Sequence, residues 1–98
     1  MAKRIIGLDG GGTKTLGVMI DENGRLLARA TGDSSNIQAI GAERLGESLA
    51  GLIAELVAIA GCRQEEVDHL YAGLAGAGRP ADREAISAQV TSRGLARA

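Results

Sequence analysis

The first 31 residues alternate short apolar runs with glycine-containing turns, and this pattern restricts the fold more than any other part of the chain. Residues 4–9 form a continuous apolar run, which is typical of a strand buried on both faces. Gly10-Gly11-Gly12 ends this run, and residues 15–21 form a second one. Asn23-Gly24 is a strong hairpin signal, and it leads into a third run at residues 25–31. The pattern predicts a meander of three antiparallel strands.

The remaining residues predict a helix, a fourth strand and a second helix. Apolar side chains recur at helical spacing over residues 42–60, and Gly61 supplies a stop. Residues 67–75 are a fourth apolar run, and Pro80 suits the first turn of a second helix. Because a strand reached through a crossover helix lies parallel to its neighbour, the sheet is expected to be mixed. The predicted fold class is α/β, in the order β-β-β-α-β-α.

Two features suggest that this domain needs further chain. Residues 1–98 contain no linker or repeat, so we place a single domain over all of them. Tyr71 is the only aromatic residue, so the core must be aliphatic and its stability is expected to be marginal. The fourth strand would also have an unpaired outer edge, which is an aggregation liability. We therefore expect an incomplete domain, truncated before a fifth strand.

Two glycines lie inside the long predicted helix. Gly46 and Gly51 would each cost up to about 1 kcal/mol relative to Ala in a helix interior. Close packing of the helix against the sheet would explain both of them. We therefore expect the sheet to approach the helix at these two positions.

Composition and charge exclude several classes of function. The formal net charge of −1 gives no positive field that would hold nucleic acid. The single cysteine, Cys62, excludes an intrachain disulfide framework and a multi-cysteine zinc site. Glu55 interrupts the longest apolar run, and the apolar start before Asp9 is too short for a signal peptide. We expect a cytoplasmic protein that binds neither nucleic acid nor a membrane.

The glycine turn after the first strand predicts a phosphate site. Gly10-Gly11-Gly12 lets backbone N–H groups approach an anion without interference from side chains. Thr13 can donate a hydrogen bond to a phosphate oxygen, and Lys14 adds positive charge. Asp9 suits Mg²⁺, which commonly takes one or two carboxylates. The alternative is an ordinary tight turn in which Asp9 is a local cap.

Two other nucleotide motifs fit the sequence less well. A Walker A loop needs Gly directly before Lys, and Thr13 occupies that position here. Residues 76–81 match G-x-G-x-x-A between a strand and a helix. That motif expects an acidic residue about 20 positions later, and no Asp or Glu follows Glu84. Dinucleotide binding is therefore the weaker alternative.

Four segments together resemble the N-terminal lobe of BadF/BadG/BcrA/BcrD-type ATPases, most closely their N-acetylglucosamine and glucosamine kinases. The segments are residues 6–15 (Ile-Gly-Leu-Asp-Gly-Gly-Gly-Thr-Lys-Thr), 21–24 (Asp-Glu-Asn-Gly), 32–36 (Gly-Asp-Ser-Ser-Asn) and 73–76 (Gly-Leu-Ala-Gly). Repressor-type sugar kinases share a similar Gly-Gly-Thr-Lys segment, so the loop at residues 32–36 is the narrower signal. The resemblance implies a ribonuclease H-like lobe of the actin, sugar kinase and heat-shock ATPase superfamily.

The resemblance also implies ATP and Mg²⁺ as cofactors and an aminosugar as substrate. Asp9 would hold Mg²⁺ through water, and Gly10 to Lys14 would bind the ATP phosphates, with Gly11, Gly12 and Thr13 facing the transferring one. Ser35 and Asn36 would hydrogen-bond the sugar, and Gly76 would line the cleft beside it. From the residues alone, an Asn in a loop before a helix, such as Asn36, is more often a turn former or a helix cap than a ligand contact.

The same family places its catalytic aspartate on a fifth strand. That residue and the second lobe are expected beyond Ala98, so the chain alone should be inactive. One alternative is an ATPase that activates a partner dehydratase or reductase through an iron–sulfur cluster, although Cys62 alone cannot ligate a cluster. The other is a non-catalytic fragment. A homodimer stays open, and we expect His69, Tyr71, Arg79 and Arg83 to be structural or solvated.

Overall fold

The computed structural model describes residues 3–11, 14–33, 37–74 and 78–94. The strands are β1 (Arg4–Gly10), β2 (Lys14–Asp21), β3 (Leu26–Asp33) and β4 (His69–Leu74). The helices are α1 (Ile37–Ile40), α2 (Ala42–Ala60) and α3 (Pro80–Ser92), and a single 3₁₀ turn (Gln64–Glu66) precedes β4. The predicted α/β class is confirmed, and the short helix α1 is an addition to the predicted order.

The four strands form one mixed sheet in the order β3-β2-β1-β4. β1 pairs antiparallel with β2, and β2 pairs antiparallel with β3, as predicted for the meander. β4 pairs parallel with β1 after the crossover through α2, which confirms the predicted mixed topology. In the described part of the chain, β3 and β4 are therefore the two edges of the sheet.

One face of the sheet packs against α2 and forms the core. Strand side chains alternate between the two faces, so Ile6, Leu8 and Met19 all point to the α2 side and are buried there. The buried stripe of α2 consists of Leu45, Leu49, Leu52, Ile53 and Leu56. A Cβ added to Gly17 would lie 3.0 Å from Cδ1 of Leu56, so the missing side chain lets α2 approach β2 closely.

The opposite face of the sheet is open in the described ranges. Asp9, Arg29 and His69 are exposed there, and 64% of Tyr71 is exposed. The rings of His69 and Tyr71 lie 6.2 Å apart on this face of β4, as the alternation predicts. Residues near the carboxyl end of β1 are consequently accessible from this side.

The two helix glycines do not pack against the sheet, so that expectation was wrong. Gly46 is buried, but a Cβ there would collide with the side chain of Gln89 and lie 2.6 Å from Nε of Arg93, both in the α3 region. A Cβ at Gly51 would have nothing within 4 Å. Gly46 therefore lets α2 and α3 approach each other, whereas Gly51 occupies open space.

We expect Gly51→Ala to stabilise the fold by about 0.5–1 kcal/mol, because Ala restricts the unfolded chain and has the higher helix propensity. Gly61→Ala should instead destabilise the fold, because Gly61 ends α2 in the left-handed conformation, with φ of 70°. That conformation costs roughly 1–2 kcal/mol for a residue with a Cβ. Urea unfolding midpoints should move in opposite directions. A lower urea midpoint for Gly51→Ala would contradict the observation that a Cβ at this position has no neighbouring atom within 4 Å.

Candidate functional site

Asp9 lies near the carboxyl end of β1, an inner strand, and its side chain is on the open face of the sheet. In register it pairs with Leu16 of β2 and with Gly73 of β4. It lines a depression in this face with Gly7, Tyr71 and Gly73. Its side chain is exposed, and no group in the described ranges forms a hydrogen bond or an ion pair with it. An unpaired, accessible carboxylate of this kind fits a magnesium ion that keeps several of its waters.

The turn after β1 brings two other predicted residues to the same end of the sheet. Gly10 is the last residue of β1 and is buried. Gly11 is exposed, and its N–H donates to the carbonyl of Lys14 at 2.8 Å, which closes the turn. Lys14 begins β2 with its side chain exposed. Gly12 and Thr13 lie outside the described residues, and phosphate binding at all five positions of this turn stays a prediction.

Thr15 is a residue of this region that the sequence reasoning missed. It is 2% exposed, and its hydroxyl donates to the carbonyl of Asp33 at 2.7 Å. The alternation that places Thr15 on the buried face could have identified it, because a buried hydroxyl needs a partner. Gly32 and Asp33 are part of β3 and not of the predicted loop. Ser35 and Asn36 lie outside the described residues.

β4 ends beside Asp9. Gly73 is level with Asp9 in the parallel pairing, and Leu74 is level with Gly10. The described part of β4 ends at Leu74, and both Ala75, the predicted last residue of the strand, and Gly76 lie outside the described residues. Since parallel strands end at the same edge of a sheet, the chain leaves β4 at the end where β1 meets its glycine turn.

A network of three polar side chains lies at the start of α3. Arg79 donates from Nε to Oδ2 of Asp82 at 3.0 Å and from Nη2 to Oδ1 of the same carboxylate at 3.2 Å. Its Nη2 also donates to Oε1 of Gln38 in α1 at 2.9 Å. Arg79 is exposed, as expected for a solvated helix face, but its guanidinium is engaged. The hydrogen bonds from Arg79 hold the pKa of the Asp82 carboxyl below its usual value.

This network predicts a specific loss of stability in acid. A carboxyl whose pKa is lower in the folded state stabilises the fold above its unfolded pKa of about 3.9, and that stabilisation disappears as the pH falls through the folded value. The melting temperature should therefore fall more steeply below about pH 4 in the natural chain than in Asp82→Asn. Glu84→Gln, an exposed change on the same helix, is the control. If the melting temperatures of the natural chain and of Asp82→Asn fell in parallel as the pH is lowered, ionised Asp82 would not stabilise the fold as we expect.

The described residues show no disulfide, no metal-binding cluster and no membrane-spanning helix. Cys62 is half-buried and free. No group of three His, Cys, Asp or Glu side chains in residues 3–11, 14–33, 37–74 and 78–94 could hold a metal ion. Among the described helices, none is long and apolar enough to cross a membrane.

Known proteins share both the sequence and the fold of this chain. N-acetyl-D-glucosamine kinase from Dictyostelium discoideum is 55% identical over 42 residues, a stretch that spans 42% of this chain and 13% of the kinase. A crystal structure from Chromobacterium violaceum, described as a candidate N-acetylglucosamine kinase, matches 89% of this chain with a TM-score of 0.76 and 23% identity. This match covers 31% of the bacterial chain, so the matched part of this chain spans less than a third of either relative.

The bacterial structure shows that the mixed sheet with its two long helices is a fold found in a protein described as a sugar kinase. The family model for BadF/BadG/BcrA/BcrD ATPases matches residues 6–95, which include most of β1, the glycine turn and every later strand and helix. Because that match takes in nearly the whole sequence, this chain belongs to the BadF/BadG/BcrA/BcrD ATPase family.

Proposed function

We propose that this chain supplies the phosphate-binding and sugar-binding part of an ATP-dependent N-acetylhexosamine kinase. The observation that carries the proposal is the exposed Asp9 carboxylate on the open sheet face, which has no partner among the described residues and lies beside a glycine turn that also presents Lys14. The family is one of ATPases, which supports nucleotide binding at this turn. The Dictyostelium relative, named for N-acetyl-D-glucosamine, supports an aminosugar as the substrate.

In this proposal the residues divide by the group that they bind. Asp9 holds Mg²⁺ through water, because a single carboxylate with phosphate oxygens and waters is a common magnesium environment. Bound Mg²⁺ supplies charge neutralisation at the transferring phosphoryl group. The ATP phosphates are bound at the turn formed by Gly10, Gly11, Gly12, Thr13 and Lys14. The N–H of Gly11 already donates to the Lys14 carbonyl, so Gly11 contributes close approach without a side chain rather than a hydrogen bond. The sugar is bound by Ser35, Asn36 and Gly76.

Lys14 and the Gly11 turn act on the phosphates by position and charge. The hydrogen bond from Gly11 N–H to the Lys14 carbonyl fixes the width of the turn, and a Cβ on Gly11 would lie 3.5 Å from that carbonyl oxygen. The exposed Lys14 ammonium would then face an anion held at the turn. Phosphoryl transfer depends largely on such positioning and electrostatic stabilisation, so these residues need no covalent role.

In this proposal, the catalytic base and the second lobe lie in sequence outside these 98 residues. The compartment that we propose for the protein is the cytoplasm. One wall of a site that needs several parts acting together supports little phosphoryl transfer. We therefore expect residues 1–98 alone to have no measurable kinase activity and weak ATP affinity.

The test measures ADP release by the full-length product of the gene that encodes this chain, with Mg²⁺ and ATP. N-acetylglucosamine, glucosamine and N-acetylgalactosamine are supplied in turn, glucose is the control sugar, and mass spectrometry detects the phosphosugar. ADP release that depends on an aminosugar, with a matching phosphosugar, supports the proposal. ADP release that is independent of sugar would transfer the assignment to an ATPase that activates a partner, and no ADP release would contradict both.

A further inference from the structure

Thr15 lies at the end of the sheet where the glycine turn joins β1 to β2. The last described pair between β1 and β2 is Gly10 with Thr15, and the last described pair between β2 and β3 is Lys14 with Asp33. Pairs at the end of a ladder open more easily than those in its middle. A side-chain bond that spans these last pairs therefore restricts the backbone of Lys14.

The hydroxyl of Thr15 forms such a bond. It donates to the carbonyl of Asp33 at 2.7 Å, and the residue is buried on the α2 side of the sheet. Valine has nearly the same shape and is equally favoured in strands, so packing and strand propensity do not by themselves require a hydroxyl here. What the hydroxyl adds is hydrogen bonding between the start of β2 and the end of β3.

The backbone of Lys14 is held from both sides. On the β1 side, its carbonyl accepts the hydrogen bond from Gly11 N–H at 2.8 Å. On the β3 side, it pairs in register with Asp33, whose carbonyl accepts the bond from Thr15. The Lys14 side chain is exposed and has no hydrogen-bond or ion-pair partner among the described residues. The position of its ammonium group therefore depends on these backbone contacts.

Lys14 and Asp9 lie on the same face of the sheet. Asp9 is opposite Leu16 in the pairing of β1 with β2, and Lys14 is two residues before Leu16, so the alternation places both charged side chains on the open face. Diagonal neighbours of this kind lie roughly 7–8 Å apart. The carboxylate and the ammonium form no ion pair with each other in the described ranges. Both groups are therefore available to a magnesium-bound phosphate between them.

We propose that Thr15 is a positioning residue for the nucleotide phosphates, one whose hydroxyl fixes Lys14 relative to Asp9. This inference rests on the proposed function, because it assumes that Lys14 binds phosphate and that Asp9 holds Mg²⁺. Thr15 is buried on the face opposite to both side chains, so it acts through the backbone and does not contact the nucleotide.

Steady-state kinetics of Thr15→Val in the full-length product test this assignment. Because small displacements of binding groups have large effects, the KM for ATP should rise on the order of tenfold. The KM for the aminosugar should not change. Thr15→Ser keeps the hydroxyl and should keep the natural KM for ATP. Thr31→Val is the matched control, because it makes the same chemical change at an exposed position of β3.

A double-mutant cycle with Lys14→Met separates positioning from a purely structural role. If Thr15 acts through Lys14, Thr15→Val should cause no further rise in the KM for ATP once the ammonium is absent. A purely structural role would lower the melting temperature and kcat and leave the KM for ATP unchanged. An unchanged KM for ATP in Thr15→Val, or the same proportional rise with and without the Lys14 ammonium, would overturn the inference.

A further variant covers the case in which Thr15→Val does not fold. Thr15→Cys replaces the hydroxyl with a thiol, which is a weaker hydrogen-bond donor, and the KM for ATP should again rise. If neither variant folds, the hydroxyl stabilises the domain as a whole, and its assignment to Lys14 is overturned.

A failure of the proposed function is distinguishable from a failure of this inference. If the natural full-length product hydrolyses ATP without a sugar, the sugar part of the proposed function fails, but the KM for ATP still tests Thr15. If it does not bind ATP with Mg²⁺ in calorimetry, the phosphate role of Thr15 fails as well, and amide hydrogen exchange then tests the link between β2 and β3. In Thr15→Val, but not in Thr31→Val, exchange should be faster at the start of β2 and the end of β3 together. Equally faster exchange throughout the sheet would overturn the link.

Discussion

Asp9→Asn should reduce sugar phosphorylation by the full-length product about 10²–10³-fold, the loss typical of removing one preorganised electrostatic group. The amide is nearly isosteric with the carboxylate but carries no charge to attract hydrated Mg²⁺. Because the Asp9 carboxylate is exposed and unpaired in the described ranges, the fold should not depend on it. Initial rates at saturating ATP and sugar, with Mg²⁺ varied, measure the effect.

The control for Asp9→Asn is Glu55→Gln, which removes an exposed carboxylate from the outer surface of α2. Glu55→Gln should retain the natural rate, and both variants should keep the natural melting temperature. An Asp9→Asn protein with the natural rate and the natural Mg²⁺ dependence would remove the basis for the magnesium assignment.

Leu56→Ala should lower the free energy of unfolding by about 2–5 kcal/mol, as expected for a buried leucine whose cavity relaxes only partly. Leu56 is 0% exposed and packs over Gly17, where β2 has no side chain to fill the space. A small domain has a total stability of only about 5–15 kcal/mol, so this single change removes a large share of it. Urea unfolding measures this change in the free energy of unfolding, with the same dependence on urea concentration used for both proteins.

Ile59→Ala is the matched control on the same helix. Ile59 is 54% exposed, so its truncation should change the free energy of unfolding by less than about 0.5 kcal/mol. Similar losses for the two variants would contradict the placement of the core between α2 and the sheet.

Most of the fold could be predicted from the sequence because the residues that determine each helix and turn act on residues close to them in the chain. The apolar stripe and Gly61 placed α2 at Ala42–Ala60, as observed. The hairpin at Asn23-Gly24 is closed by the Asp21 carboxylate, which accepts hydrogen bonds from the N–H groups of Asn23 and Arg25. Gly24 has a φ of 82°, the left-handed conformation that favours glycine.

Features that depend on distant residues could not be predicted in this way. Gly46 packs against Gln89 and Arg93 of another helix region, and no local pattern indicates which helix lies opposite a glycine. The bond between Arg79 and Gln38 joins residues 41 positions apart in the chain, and no local pattern indicates that these two side chains meet. Gly32 and Asp33 looked like loop residues by composition, but pairing with β2 extends β3 through them.

The most direct test of the proposed nucleotide site is a crystal structure of the full-length product with Mg²⁺ and a non-hydrolysable ATP analogue. We expect the terminal phosphate to rest against the turn from Gly10 to Lys14. We also expect a magnesium-bound water to contact the carboxylate of Asp9. Nucleotide phosphates bound away from this turn, or an Asp9 side chain enclosed by protein groups with no ion nearby, would contradict the proposed site.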